Sequence, residues 1–358
     1  MDKFITLTEQ DKRDAFGETA TRRGVLPIII EKDFWVCWTL KHLLEIPEIA
    51  PYITFKGGTS LSKAYGIIDR FSEDIDLTIS KSAPYTKDAK NPADEEVSGK
   101  ERQRRIDALK EGAQKFVLEI ALPNLNKKFQ EIFGGDAVWK VEIASDDNDK
   151  QTILFYYPKL LSYGKGYGMG LYGVGAYGEG EIGYLKPAIR LEFGARGDIE
   201  PNEEKEITPY IAEEFPELFD NPKCSVPTLA VERTFWEKAT ILHALYHGSK
   251  MRDRMSRHYY DTYTLDIKGV ADSALKNLPL LDQVVLNKSI FFKDNKASYE
   301  TAKIGSLKLV PSDAMITELK ADYKAMQEMF MKDAPDFDLV ISTLQKLEEK
   351  INSNAGSI

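Results

Sequence analysis

Phe55-Lys56-Gly57-Gly58-Thr59-Ser60-Leu61 and Arg70-Phe71-Ser72-Glu73-Asp74-Ile75-Asp76-Leu77 hold the residues best suited to chemistry. Asp74 and Asp76 stand two apart in a run whose other positions, Ile75, Leu77 and Ile79, are apolar. On a strand such residues share one face. Two carboxylates held side by side repel each other unless a cation lies between them. Magnesium, or manganese, suits such a pair, because hard divalent ions take carboxylates together with a substrate's own phosphates. Just upstream, Gly57 and Gly58 let the backbone come close to a ligand. Thr59 and Ser60 then open a helix whose first N–H groups can hold a phosphate oxygen. The order is strand, glycine turn, helix, and strand with paired carboxylates. It is neither a Walker loop, which needs Gly-Lys-Ser/Thr, nor a dinucleotide fingerprint, which needs a third glycine. An Asp-x-Asp or a Gly-Gly alone would mean little more than an acidic surface or a turn. Together they suit a loop that holds a polyphosphate beside carboxylates that hold its metal.

The elements that must position these residues read as a mixed α/β lobe followed by a helical one. Helices are expected over 8–23, 31–44 and 98–120, and strands over 53–56, 74–79, 139–143, 152–157 and 188–193. The second helix carries Phe34, Trp35, Val36, Cys37, Trp38, Leu40, Leu43 and Leu44, so it should be buried on most sides. From about residue 226 onward the pattern is helical. There Val231, Phe235, Lys238, Leu242 and Leu245 form one stripe. The lysine in that stripe either covers apolar surface with its stem or points its ammonium into a cleft, where it could hold a triphosphate. Residues 1–225 are therefore assigned to one domain and 226–358 to a second. A Gly/Tyr-rich insertion near 163–184 is either a long hairpin or an arm whose tyrosines stack on bases.

Composition sets the broad class. A chain of 358 residues suggests two lobes. The stretch from Met1 to Ala20 is polar, and no run is apolar enough to span a membrane. With only Cys37 and Cys224, a disulfide framework is not expected, and the place expected is the cytoplasm. The net charge of -9 argues against tight unspecific binding to nucleic acid, although local basic clusters remain at Lys100, Arg102, Arg104 and Arg105, at Lys127 and Lys128, and at Arg252, Arg254 and Arg257. His42, His243, His247 and His258 have no zinc-ligand spacing.

The Gly-Gly-Thr-Ser to Asp-Ile-Asp block resembles the signature of the DNA-polymerase-beta-like nucleotidyltransferases. More closely it resembles the AbiEii/AbiGii toxins of type IV toxin–antitoxin and phage abortive-infection pairs. Ile30-Glu31-Lys32-Asp33-Phe34-Trp35-Val36, the run from Glu232 through Lys238 to His258-Tyr259-Tyr260-Asp261, and Leu309-Val310-Pro311 with Asp322-Tyr323, Met326 and Met329 carry the same likeness. The resemblance implies an α+β fold, with a polymerase-beta-like lobe built on a mixed sheet and a C-terminal helical lobe. It implies a nucleoside triphosphate substrate whose phosphates lie against Gly57, Gly58, Thr59 and Ser60, and one or two magnesium ions on Asp74 and Asp76. Lys238, and Lys56 if it faces the cleft, would offset phosphate charge.

Such a site usually has a third carboxylate, for which Glu142 and Glu192 are candidates. Glu192 is preferred, because Ile189, Leu191 and Phe193 share one strand face and leave Arg190 and Glu192 on the other. Glu192 would complete the metal site or draw the proton from an attacking hydroxyl, with Arg190 a phosphate-binding or structural partner. Asp261 would orient Lys238 or the phosphates, or cap a helix. His258 stands where many relatives carry an acid. The resemblance also implies transfer of a nucleotide to a cellular acceptor, with the 3′ end of tRNA or another small RNA foremost, and a cognate antitoxin, a transcriptional regulator encoded alongside. A small molecule or a protein hydroxyl is the rival acceptor, and a nucleotide-binding regulator without turnover is the rival class.

Overall fold

A computed structural model describes residues 1–94, 96–135, 138–161, 187–248 and 253–354. The expected Gly/Tyr-rich insertion, Arg252 and the last four residues lie outside them. Seven strands form one sheet: β1 (Ile53–Lys56), β2 (Ile75–Ile79), β3 (Lys140–Ile143), β4 (Thr152–Tyr156), β5 (Ile189–Gly194), β6 (Asn202–Ile207) and β7 (Cys224–Leu229). Their order is β3-β4-β5-β2-β1-β7-β6. β2 runs parallel to β5 and β1 parallel to β7, while the other neighbours are antiparallel. With its helices this is an α+β fold built on a mixed sheet.

Alternation along the strands sends Phe55, Ile75, Leu77, Ile153, Phe155, Leu191 and Phe193 to one side, into a single core. The helix Pro27–Leu44 fills that side and is buried without a break from Ile29 to Leu40. Its Trp38 packs 4.9 Å from Phe129 and 5.8 Å from Phe155, centroid to centroid, and its Trp35 stacks on Tyr157 at 5.3 Å. Rings at these separations add to the area they bury. A second core joins Phe235, Trp236, Leu242, Tyr259, Leu319, Tyr323, Leu344 and Ile351 from the helices Val231–His247, Ser256–Ile267, Asp313–Ala325 and Phe337–Ser353. Leu61 and Ile68, from the segment between β1 and β2, belong to this second core. The glycine-loop segment is thus packed into both lobes.

Three elements depart from the sequence reading. β7 occupies 224–229, where the helical part was expected to begin at 226; the helix starts at Val231. β6, Asn-Glu-Glu-Lys-Glu-Ile, is mostly exposed and has no apolar alternation, so its own residues give little strand signal. Its ladder with β7 makes it a strand, and its charges suit a sheet edge. The helix expected over 98–120 runs as Gly99–Lys115, passes through a wide turn at Phe116–Ala121, and continues as Leu122–Phe133. Pro123 lacks an N–H and crowds the carbonyl four residues back, which favours such widening.

Candidate active site

Lys56 at the end of β1 lies opposite Asp76 on β2, and Asp76 lies beside Glu192 on β5. Residues in register across a sheet face the same way. These three therefore form a row on the face turned away from the first core. Asp74 sits just ahead of β2, which begins at Ile75 rather than at residue 74. Glu142 lies on β3, at the far edge of the sheet, and pairs with Lys140. The register therefore puts Glu192, not Glu142, next to the aspartates.

The glycine loop closes over this row. Gly57 has φ +80°, and a Cβ there would lie 1.9 Å from Asp76 Oδ2. A Cβ on Gly58 would fall 2.7 Å from Ser72 Oγ and 2.8 Å from Arg70 Nη2. Both glycines are needed for close approach, and Gly57 for its backbone conformation as well. The Thr59 and Ser60 side chains are buried and hold the loop together. Thr59 Oγ1 donates to the Asp74 carbonyl, and Ser60 Oγ donates to the Gly57 carbonyl at 2.9 Å. What this loop can offer a phosphate is therefore backbone rather than hydroxyl. Gly57→Ala should lower nucleotide transfer by at least about a hundredfold and destabilise the fold by more than about 1 kcal/mol, since alanine resists this φ. A melting curve and a transfer assay on the purified variant check both.

Charge at the centre is unbalanced. Burial, with the Glu192 and Asp74 carboxylates nearby, pushes Asp76 up to about 7, against Lys56 and Arg257, which favour its charged form. Among the described residues, no three His, Cys, Asp or Glu side chains close into a ready-made metal cage. The donor set nevertheless fits a hard divalent ion, which needs only one or two protein carboxylates when phosphates supply other ligands. A carboxylate held near its neighbours and short of its proton calls for positive charge. Glu192 accepts from Arg190 Nε at 2.7 Å, and Arg190 also pairs with Asp146 at 3.1 Å. Arg190 is thus tied to two acids on its own face.

The opposite wall comes from the helical lobe. Asp261 lies inside the helix Ser256–Ile267, not at its cap, and is fully buried. It accepts from Arg70 Nε at 2.7 Å, from Arg70 Nη2 at 2.8 Å and from Lys238 Nζ at 2.6 Å. Burial works against its charge, but Arg70 and Lys238 together hold its carboxyl well below the usual range. Burial lowers the Lys238 pKa, and Asp261 restrains the fall. Lys238 is therefore neither snorkelling into water nor a bare cation; it shares the buried Asp261 carboxylate with Arg70. His258, three residues before Asp261 on the same helix, is kept neutral by burial and by the charges of Lys238 and Arg257.

Sequence reading gave no role to Arg70, to Lys32 with Glu73, or to Glu237. Arg70 brackets the glycine loop, its Nη2 near Gly58 and its fork on Asp261. Lys32 pairs with Glu73, the residue before Asp74. Glu237 is partly buried, which opposes its charge, but Lys56, Lys288 and Arg233 keep its pKa below the ordinary value. A usable signal existed for Lys32 alone: a charge triplet at the head of an otherwise apolar helix.

The AbiEii family model, described as the nucleotidyl transferase AbiEii toxin of type IV toxin–antitoxin systems, matches residues 38–349. No curated protein matches the chain significantly. Among solved structures the chain is similar to MenT4, a nucleotidyltransferase toxin from Mycobacterium tuberculosis H37Rv, with 14% identity and a TM-score of 0.40 over 97% of this chain and 99% of that one. Toxins of this type are paired with a cognate antitoxin. By the span of the family match, this chain belongs to the AbiEii nucleotidyltransferase toxins of type IV toxin–antitoxin systems.

Proposed function

We propose that the chain transfers a nucleotide from a nucleoside triphosphate to the 3′ end of a small cellular RNA, tRNA foremost, and works in the cytoplasm. The observation that carries the reading is the row Lys56, Asp76 and Glu192 beneath a glycine loop that leaves no room for a side chain at Gly57. Backbone at Gly57 and Gly58 cradles the triphosphate. Lys238, oriented by Asp261, and Lys56 offset the charge of the outer phosphates. The acceptor hydroxyl attacks the α-phosphorus, the bond to the β-phosphate breaks, and pyrophosphate leaves. Glu192 is suited to take the hydroxyl proton. Asp74 and Asp76, with Glu192 the third carboxylate, would hold a magnesium or manganese ion, which would supply neutralisation of phosphate charge and lower the pKa of the acceptor hydroxyl. The rest is positioning by this chain's residues.

An RNA end rather than a metabolite is favoured by charge around the cleft. Arg257, in the first turn of the helix Ser256–Ile267, acts on Asp76, and Arg254, just ahead of that helix, acts on Glu73, so positive charge is felt at the carboxylates from this side. A single-stranded end is thin enough to pass between two lobes. Arg104 and Arg105, by contrast, are taken up by Glu101 and Asp94. The partner that neutralises the toxin is read as a transcriptional regulator encoded alongside.

Purified protein, magnesium, each labelled ribonucleoside triphosphate and total RNA test the acceptor. Label should enter discrete small RNAs from one preferred nucleotide, and oxidation of their terminal ribose should stop it. Label confined to protein or to a small metabolite would refute the RNA acceptor. Tight nucleotide binding with no incorporation anywhere would point instead to a regulator without turnover.

A further inference from the structure

Three consecutive ionisable side chains on the helix Pro27–Leu44, Glu31, Lys32 and Asp33, are all at most 1% exposed. That level of burial excludes a solvated face. Successive helical residues point about 100° apart, so each reaches a different segment. Glu31 accepts from the backbone N–H groups of Leu160 at 2.6 Å and Leu161 at 3.3 Å. Asp33 pairs with Lys63 Nζ at 2.7 Å and accepts from the Tyr210 N–H at 2.6 Å. Lys63 is the last residue of the helix Gly57–Lys63 that the glycine loop opens. Lys32 donates to Glu73, whose side chain is 11% exposed and one peptide bond from Asp74. One rigid helix thus grips the far end of the loop helix and the entry to β2.

We infer that Lys32 is a positioning residue: through Glu73 it sets the peptide carrying Asp74, and with it the affinity of the Asp74/Asp76 pair for a divalent ion. The inference rests on reading those aspartates as the metal ligands. Lys32 is too buried to meet substrate; it reaches the Asp74 peptide by its contact with Glu73, and its charge also acts on Asp74. Asp74 is held on its other side by Thr59 Oγ1, which donates to its carbonyl. A buried ion pair is a poor source of stability, since an apolar pair of similar volume is often as stable. It does fix direction, and partners behind metal ligands commonly change affinity about 10–100-fold when removed.

The test compares the full chain with Lys32→Met/Glu73→Met and Glu73→Gln, following Mn2+ binding by electron paramagnetic resonance, thermal unfolding and nucleotide transfer. The double variant should melt close to the wild type yet bind Mn2+ about tenfold or more weakly. Half-maximal transfer should need correspondingly more metal. Glu73→Gln, which keeps volume and a hydrogen-bond acceptor, should bind about threefold or more weakly, and it decides the matter should the double variant fail to fold. Wild-type Mn2+ affinity in a folded variant overturns the inference. A wild type that binds no Mn2+ even with a nucleoside triphosphate present overturns the metal reading, and the positioning role with it.

Discussion

Asp76→Asn is expected to lower nucleotide transfer by at least about a thousandfold and abolish growth inhibition, while the protein melts no lower than the wild type. The loss follows from the position of Asp76, at the centre of the row and against Gly57. The retained stability follows from the same crowding. Burial and the neighbouring Glu192 raise its folded pKa to about 7 from an ordinary 3.8, so its charged form opposes folding. Stability from this group is fully present below about pH 4 and is lost as pH rises through about 7. In metal-free buffer the gap between variant and wild type should therefore widen from pH 5 to pH 8, in the variant's favour. Added Mn2+ should raise the wild-type melting temperature more at pH 8 than at pH 6, because the ion competes with the proton for the carboxylate. Melts across that range, with and without the ion, read both effects. Transfer within tenfold of the wild type would remove Asp76 from the reaction.

The largest stability effect should come from Asp261→Ala. It leaves Arg70, 3% exposed, and Lys238, 6% exposed, as two cations without their shared carboxylate. Stripping one member from a buried pair costs about 3–5 kcal/mol, and here the remaining two also repel. Lys238→Met is the informative contrast. It removes one cation and leaves the two-point contact between Arg70 and Asp261, so stability should fall by only about 1 kcal/mol while transfer falls about a hundredfold. Denaturant unfolding ranks the two variants, and the transfer assay separates packing from chemistry. A Lys238→Met chain that loses stability like Asp261→Ala but transfers normally would make the lysine a packing residue. The low folded pKa of Asp261 means that its contribution to stability is present at neutral pH and survives far into acid.

Much of this arrangement is local in origin and could be read from the chain. The glycine pair, the aspartates two apart and the alternation Ile75, Leu77, Ile79 are short-range patterns, and strand geometry converts them directly into a loop, a face and a core. The helix expected over 31–44, which in the structure begins earlier at Pro27, announced its burial by its run of aromatic and aliphatic residues. The charged and unpatterned β6 did not, because its strand state comes from the ladder with β7 rather than from its own residues. Asp261 read equally well as a cap or a partner from sequence, since a carboxylate in a helix does not say what lies across from it.

By itself, then, the sequence determined the carboxylates two apart, the glycine turn ahead of them, and the family to which both point. Only the tertiary structure places Glu192 beside Asp76 and Glu142 at the far edge of the sheet, because that register comes from the pairing of β2 with β5, two strands distant in the chain. Only it showed that Thr59 and Ser60 hold the loop from within. It alone revealed the buried pairs Lys32–Glu73 and Arg70–Asp261–Lys238. A buried charge is tolerated through its partner, and partnership across distant segments leaves no spacing for a sequence to display.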